Sequence, residues 1–403
     1  MSNTANTNTI ADTVNNITDK IKNLNDTTSV YILNAVSLAL IVLSIIVYLL
    51  YTGSPLMKGL RDRNNSFMNT VYGSQRNSNI LSTATNTNVN QNQVKFFHVK
   101  SAYNACSGGS YKNDYVDINV LKKILSQGVR FVDFELYSID DIPVVATSTN
   151  DSFYVKETFN YVNFSEVLKV ITDNAFNSSI VQNPDDPIFL HLRIKSTNKK
   201  LYETLAKLFE NESIKSVLTE QESVYKNGYP TVTENGETSS NEPIQNCKLS
   251  DIQGKIIIIV DGSNRSFYGT KFETYIDMLS KSSTLRGMTN YEIVYTPDGD
   301  ELKKHNIVHM TIGFPDKGAN PPNPNTIVMR ELGCQFVAMR YQLIDAFLEE
   351  NNSFFDNNKA AFVLDKRKII KGQTIPNVFP QDINLSYDRG DLNKGTLSIN
   401  FTR

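Results

Sequence analysis

Residues 128 to 136 read GVRFVDFEL and place Asp133 and Glu135 one residue apart inside an apolar, aromatic-rich run. Such a run reads as a strand, and alternate residues of a strand share a face, so the two carboxylates point the same way. Acid–base chemistry near neutral pH would call for imidazole, whose ordinary pKa lies there. The chain has 4 histidines, His98, His191, His305 and His309, and none shares the strand of the acidic pair. His191, His305 and His309 read as structural residues. The 3 cysteines, Cys106, Cys247 and Cys334, lack metal-ligand spacing; they read as buried free thiols, with neither a zinc site nor a disulfide framework expected. With 40 Lys+Arg against 42 Asp+Glu, the formal net charge of -2 gives no chain-wide pull toward nucleic acid, and no nucleic-acid partner is expected.

Far downstream, residues 333 to 342 read GCQFVAMRYQ. This stretch and GVRFVDFEL together resemble the two halves, X-like and Y-like, of the barrel of phosphoinositide-specific phospholipases C. The resemblance covers roughly residues 96 to 370. It implies an in-line displacement at phosphorus on a phosphoinositide-type lipid, with two histidines as general acid and base. It also implies a calcium ion held by an asparagine and three carboxylates, which lowers the pKa of the attacking inositol hydroxyl.

Carried over position by position, most of that machinery is substituted. Setting the family's histidine-asparagine-threonine-tyrosine segment on Tyr103 puts Lys100 in place of the first histidine and Ser101 in place of the calcium-binding asparagine. His98, two residues earlier and on the same face as Lys100, is the fallback. Thr147, Ser148 and Thr149 fill the run that should hold the second histidine. Hydroxyls can hydrogen-bond a phosphate oxygen but cannot exchange a proton near pH 7 as imidazole does. Asp133 and Glu135 keep the acidic-pair positions in swapped order, whereas Arg193 stands where the third calcium carboxylate belongs. Lys255 resembles the first lysine of the family's phosphate-binding strand, and Asn320 falls near the place of an inositol-phosphate arginine. The resemblance thus implies a degenerate calcium site at Asp133 and Glu135. It allows an anion site at the mouth from Lys100, Arg193 and Lys255, or an Arg193 that pairs with the acidic residues and fills the cavity. The cost of burying an unpaired charge favours pairing. No cofactor is expected, calcium being needed only if catalysis persists.

The elements that must position these residues alternate strand and helix. FFHV (96 to 99), VRFVDFEL (129 to 136), IPVVAT (142 to 147), PIFLHLRI (187 to 194), KIIIIVD (255 to 261), YEIVYT (291 to 296), IVHMTI (307 to 312) and CQFVAMRY (334 to 341) read as buried strands. INVLKKILSQ (118 to 127), FSEVLKVITDNAF (164 to 176) and KLYETLAKLFENE (200 to 212) repeat apolar residues at helical spacing. Periodicity alone fits an open doubly wound sheet nearly as well as a barrel; the resemblance selects an α/β barrel of the TIM type over residues 95 to 370, X-like to 262 and Y-like from 285. Polar residues 226 to 247 read as a surface loop, and 371 to 403 as a C-terminal β extension.

Before the barrel, Val30 to Tyr51 carries no charge and is long enough to cross a bilayer, which takes about 20 helical residues. It reads as a transmembrane helix between a polar tail, 1 to 29, and a flexible linker, 52 to 94. Lys20 and Lys22 precede it while Lys58, Arg61 and Arg63 follow, a one-charge bias toward a cytoplasmic barrel. Two readings of function result: a membrane-anchored phospholipase C-like barrel without activity, acting as a binding or structural module, and an active phosphoric diester hydrolase with a rearranged site. A lipid bilayer is the expected partner in both, with an anionic headgroup as ligand where the anion site forms.

Overall fold

The computed structural model describes residues 12–16, 18–20, 26–52, 55–73, 77–150, 152, 154–219 and 243–373, together with 231–232, 238–239, 392–394 and 397–399. The chain divides into two units, Met1–Arg63 and Asn64–Arg403. The first contains α1 (Asp26–Thr52). Within it, the 19 residues Val30–Tyr48 have a mean hydropathy of 2.6 and bury nothing against the protein. By length and composition this helix fits a membrane span or a signal sequence equally well.

Eight parallel strands form the barrel path of the second unit's 11-stranded sheet. Counting every strand along the chain, they are β1 (Phe97–Ala102), β2 (Phe131–Ile139), β5 (Ile188–Ile194), β8 (Ile256–Asp261), β9 (Met278–Ser280), β10 (Leu285–Thr289), β11 (Met310–Phe314) and β12 (Phe336–Met339). They are laddered in the order β10-β11-β12-β1-β2-β5-β8-β9, a nearly closed barrel whose gap lies between β9 and β10. Alternation sorts the side chains into two layers. Val99, Phe131, Phe189, Ile257, Ile259, Ile312 and Phe336 pack in the interior. Val132, Leu190, Ile258 and Val337 face outward, under the helices. Those helices include Ile118–Ser126, Phe164–Ala175 and Lys199–Phe209, as their periodicity predicts. Asp117 and Asn198 cap two of them by accepting from the backbone N–H groups of Asn119 and Lys200.

Four expectations need correction or lie elsewhere. YEIVYT is no strand: Asn290–Val294 is a helix, begun by a capping box in which Thr289 and Glu292 satisfy each other's backbone N–H groups. IPVVAT forms β3 (Ile142–Ala146), which pairs antiparallel with β2 and is not a stave of the barrel. The residues expected to be a flexible linker are structured over 55–73 and 77–94. Helix α2 (Pro55–Tyr72) buries Met68 completely, and the Tyr72 hydroxyl donates to Tyr341 O at 2.6 Å. Thr83 and Ala84 donate backbone N–H groups to the Asp186 carboxylate at 2.6 and 2.8 Å, beside a fully buried Ile80. Polar composition misleads there because barrel carboxylates satisfy the polar groups and a few apolar side chains suffice. The expected loop at 226–247 and the C-terminal extension lie mostly outside the described residues; within them Thr231–Val232 (β6) pairs with Thr238–Ser239 (β7), and Leu392–Lys394 (β14) with Leu397–Ile399 (β15).

Candidate functional site

Asp133 and Glu135 both point into the barrel from β2, and His191 and Arg193 lie beside them in register on β5. Exposure is 2% or less for all four. Arg193 donates from Nε to Asp133 Oδ1 at 2.9 Å and from Nη2 to Oδ2 at 2.7 Å, a two-point grip. Its Nη1 reaches Glu135 Oε1 at 3.0 Å, and Nη2 also donates to Asn104 Oδ1 at 2.9 Å. The Tyr103 ring covers the guanidinium at 4.5 Å.

The remaining oxygen valences are taken as well. Asn104 donates its backbone N–H to Asp133 Oδ2 at 3.1 Å and its amide to Glu135 Oε1 at 3.2 Å. The other Glu135 oxygen accepts from Tyr137 Oη at 2.6 Å and from Ser148 N and Oγ, both at 2.9 Å. His191 Nδ1 donates to Asp133 Oδ1 at 2.7 Å, which leaves Nε2 facing Ser280 Oγ at 2.8 Å. The His191 ring is stacked between Phe131 and Phe314. Burial alone would raise the pKa of Asp133, but the Arg193 charge and the His191 hydrogen bond outweigh it and bring it down to about 2. A cleft near Arg193, Lys195, Asp261 and Asn264 has a volume of about 30 Å³. That holds a water or two, against roughly 300 Å³ or more for a small-molecule site.

Set against solved structures, this barrel superposes on S. officinalis PLC21 with a TM-score of 0.54 at 15% identity, covering 69% of this chain and 37% of that one. L. pealei PLC21 gives a TM-score of 0.54 at 15% identity over 69% of this chain and 38% of that chain. The fold is phospholipase C-like. The chain thus spans less than two-fifths of the length of either protein. A phosphatidylinositol-specific phospholipase C from Listeria monocytogenes is also similar, with a TM-score of 0.39 at 12% identity over 67% of this chain and 95% of that one. No family model and no curated protein sequence matches.

In this phospholipase C-like barrel the expected site residues do not all converge. Lys100 faces outward from β1: it is 1% exposed, with Nζ 3.8 Å from Asp356 Oδ1 on the helix Ala346–Asn358, and burial lowers its pKa to about 8 despite that partner. Lys255 precedes the N-terminal end of β8, and its Nζ donates to Ser216 O at 3.3 Å. The expected anion site from Lys100, Arg193 and Lys255 is therefore not assembled, because the three cations have separate partners. The fallback His98 shares the outward face of Lys100, with Nδ1 against Cys334 O at 2.8 Å and Nε2 3.4 Å from Asp365. Burial lowers its pKa, and it does not join the acidic pair. Ser101 faces inward and spends its hydroxyl on Val99 O at 2.6 Å. Thr147 Oγ1 donates to Tyr111 O at 3.0 Å, and Thr149 donates from N and Oγ1 to Glu157 at 2.7 and 2.6 Å. Asn320 Oδ1 accepts from the buried Arg340 at 2.6 Å.

Calcium takes six to eight oxygen ligands, and the residues at this position do not offer them. The Arg193 guanidinium has no acceptor, holds three of the four carboxylate oxygens and cannot deprotonate. Among the described residues no group of three or more His, Cys, Asp or Glu side chains is arranged to hold a metal ion. Sequence reasoning overlooked Asn104, Ser280 and the part of His191 in this cluster. The signal for His191 was available, since it lies two residues before Arg193 on a recognised strand and so shares its face.

Proposed function

We propose that the chain is a membrane-anchored, phospholipase C-like barrel that does not cleave phosphodiesters and serves as a binding or structural module. The observation that carries this reading is the Arg193 guanidinium gripping both carboxylates of the acidic pair. An attacking hydroxyl needs a base with a free lone pair, and every oxygen of Asp133 and Glu135 already accepts at least two hydrogen bonds. The substitutions Lys100 and Thr147 to Thr149 at the expected histidine positions support the same reading. The apolar helix Val30–Tyr48 supports membrane attachment, and the charges flanking it favour a cytoplasmic barrel.

The test is hydrolysis of phosphatidylinositol and its phosphates by the full chain in mixed micelles, with calcium and with a chelator. No turnover above background is expected in either condition. Calcium-dependent turnover that disappears in Asp133→Ala would overturn the reading and establish a rearranged phosphodiesterase site.

A further inference from the structure

A cavity larger than the cleft beside Arg193 opens next to the N-terminal end of β12 and shares no residue with the acidic cluster. Its volume is about 220 Å³, room for about seven waters at roughly 30 Å³ each. The helix Gly299–Val308, residues 331–333 and the start of the helix Lys366–Gln373 form its walls. Ile307 and Leu332 make it partly apolar, and Lys303 and Arg367 balance Glu331 and Asp365 in charge. The remaining lining side chain is Lys368, which is 4% exposed. Its Nζ donates to Gly333 O at 2.7 Å, on the cavity wall, and to Lys95 O at 3.2 Å. Those two carbonyls match the two N–H groups of a neutral amine and leave its lone pair over, whereas an ammonium ion has a third N–H to satisfy. Both cavity carboxylates are held by Arg367, from Nη1 to Glu331 and from Nε to Asp365, each at 2.9 Å. Gly333 keeps the approach open: at φ +82° it suits glycine, and a Cβ there would lie 3.3 Å from Lys368 Cε.

We propose that Lys368 is the nucleophilic amine of a cavity for small uncharged aldehydes, which it binds covalently as an imine. Burial and the neighbouring Arg367 charge lower the Lys368 pKa to about 7, against the opposite pull of Asp365 and Cys334. His98 on β1 also feels the lysine's charge, and Lys303 and Glu331 lie on the same cavity. A buried lysine near that pKa keeps much of its amine neutral at pH 7, the condition for attack on a carbonyl carbon. The step needs no co-reactant. The Nζ lone pair attacks the carbonyl carbon, and the oxygen takes one amine proton to give a carbinolamine. Loss of that hydroxyl with the remaining nitrogen proton, as water, leaves the C=N bond. The balanced charges and the apolar wall favour an uncharged aldehyde over an ionic one. This site lies apart from the barrel interior, and the inference holds whether or not the barrel cleaves phosphodiesters.

The experiment treats the full-length protein in detergent with propionaldehyde and cyanoborohydride, which adds hydride to the imine carbon and fixes it as propyl-lysine. Modified lysines are mapped by mass spectrometry from about pH 5.5 to 9.5, and the Lys368 rate is divided by that of the exposed Lys304 in the same sample. At pH 7 the ratio is expected to be at least about 10, because a lysine at the ordinary pKa of about 10.4 is almost wholly protonated there. It should fall as pH rises and vanish when the protein is denatured before labelling. Ile307→Trp, on the half-exposed wall, fills the cavity and is expected to slow Lys368 at least about 5-fold while Lys304 keeps its rate. A ratio near one at pH 7, a ratio that does not fall with rising pH, or undiminished labelling of Lys368 in folded Ile307→Trp would each overturn the inference. Should that variant fail to fold, the ratio in the unaltered protein and its pH dependence decide the matter alone.

Discussion

At the scale of single residues, one arginine reverses what an acidic pair on a strand can do. Removing one partner from a buried ion pair leaves the other charge unpaired and costs about 3 to 5 kcal/mol, more than the pair itself contributes relative to apolar packing. Protonation imposes a related loss. The folded-state pKa of Asp133 is about 2, below the ordinary 3.8, so its ionised form contributes stability that is complete above about pH 4. That contribution fades as pH falls through the window between those two values. Asp133→Asn is accordingly expected to melt lower at pH 7 and to have a shallower dependence of Tm on pH between about 4 and 2. An unchanged acid limb, measured by thermal melts across that range, would show that the ionised Asp133 carboxylate is not what the folded state prefers. Lys100 is the counter-example to reading chemistry from residue type alone. Its place in the sequence invites a phosphate, yet the strand turns it outward toward Asp356, and only the phase of β1 relative to the barrel axis reveals this.

At the scale of elements, periodicity carried most of the fold. The runs that became β1, β2, β5, β8, β11 and β12 were legible from their β-branched and aromatic content, and three outer helices from apolar spacing. What was illegible has particular causes. YEIVYT looks strand-like, but the capping box that makes it a helix includes Thr289, which lies just outside the apolar window. β9 and β10 are short, and β10 contains Gly287 and Arg286, so neither presents the apolar run that marks a buried strand. The acidic pair and its shared face were visible from alternation, and so was the option that Arg193 pairs with it. The choice between pairing and an open mouth depends on side chains from four separate segments, which spacing along one chain does not relate. Residues 64–73 and 77–94 are packed where a tether was expected because their asparagines are partners for carboxylates: Asn64 donates to Asp114 at 2.7 Å, Asn65 to Asp117 at 2.9 Å and Asn77 to Asp356 at 2.9 Å. If α2 is a packed element, Met68→Ala costs about 2 to 4 kcal/mol and Tyr72→Phe about 1 kcal/mol in chemical denaturation. A freely moving linker would give neither loss.

At the scale of the whole molecule, the question is what a barrel whose acidic pair is occupied by Arg193 gains from an apolar helix on the same chain. An active lipid hydrolase would need its mouth at the bilayer, whereas a binding or structural module needs only residence on one membrane. The 19 residues Val30–Tyr48 span about 28 Å at 1.5 Å per residue, close to the roughly 30 Å hydrocarbon core. Ser44 returns its hydroxyl to Leu40 O at 2.8 Å, so this polar group in the segment is satisfied within the helix. The full chain is therefore expected to stay with membranes through high-salt and alkaline washes and to be released by detergent. Replacing Leu40 and Ile41 by arginine should move it to the soluble fraction, because each charge at mid-span costs about 2.5 to 3.5 kcal/mol on insertion scales. Sequencing the N-terminus of the mature chain separates the two uses of such a helix. A start within residues 1 to 29 fits an anchor, while a start beyond Tyr51 would identify a removed signal and leave the barrel to reach any membrane through its own surface.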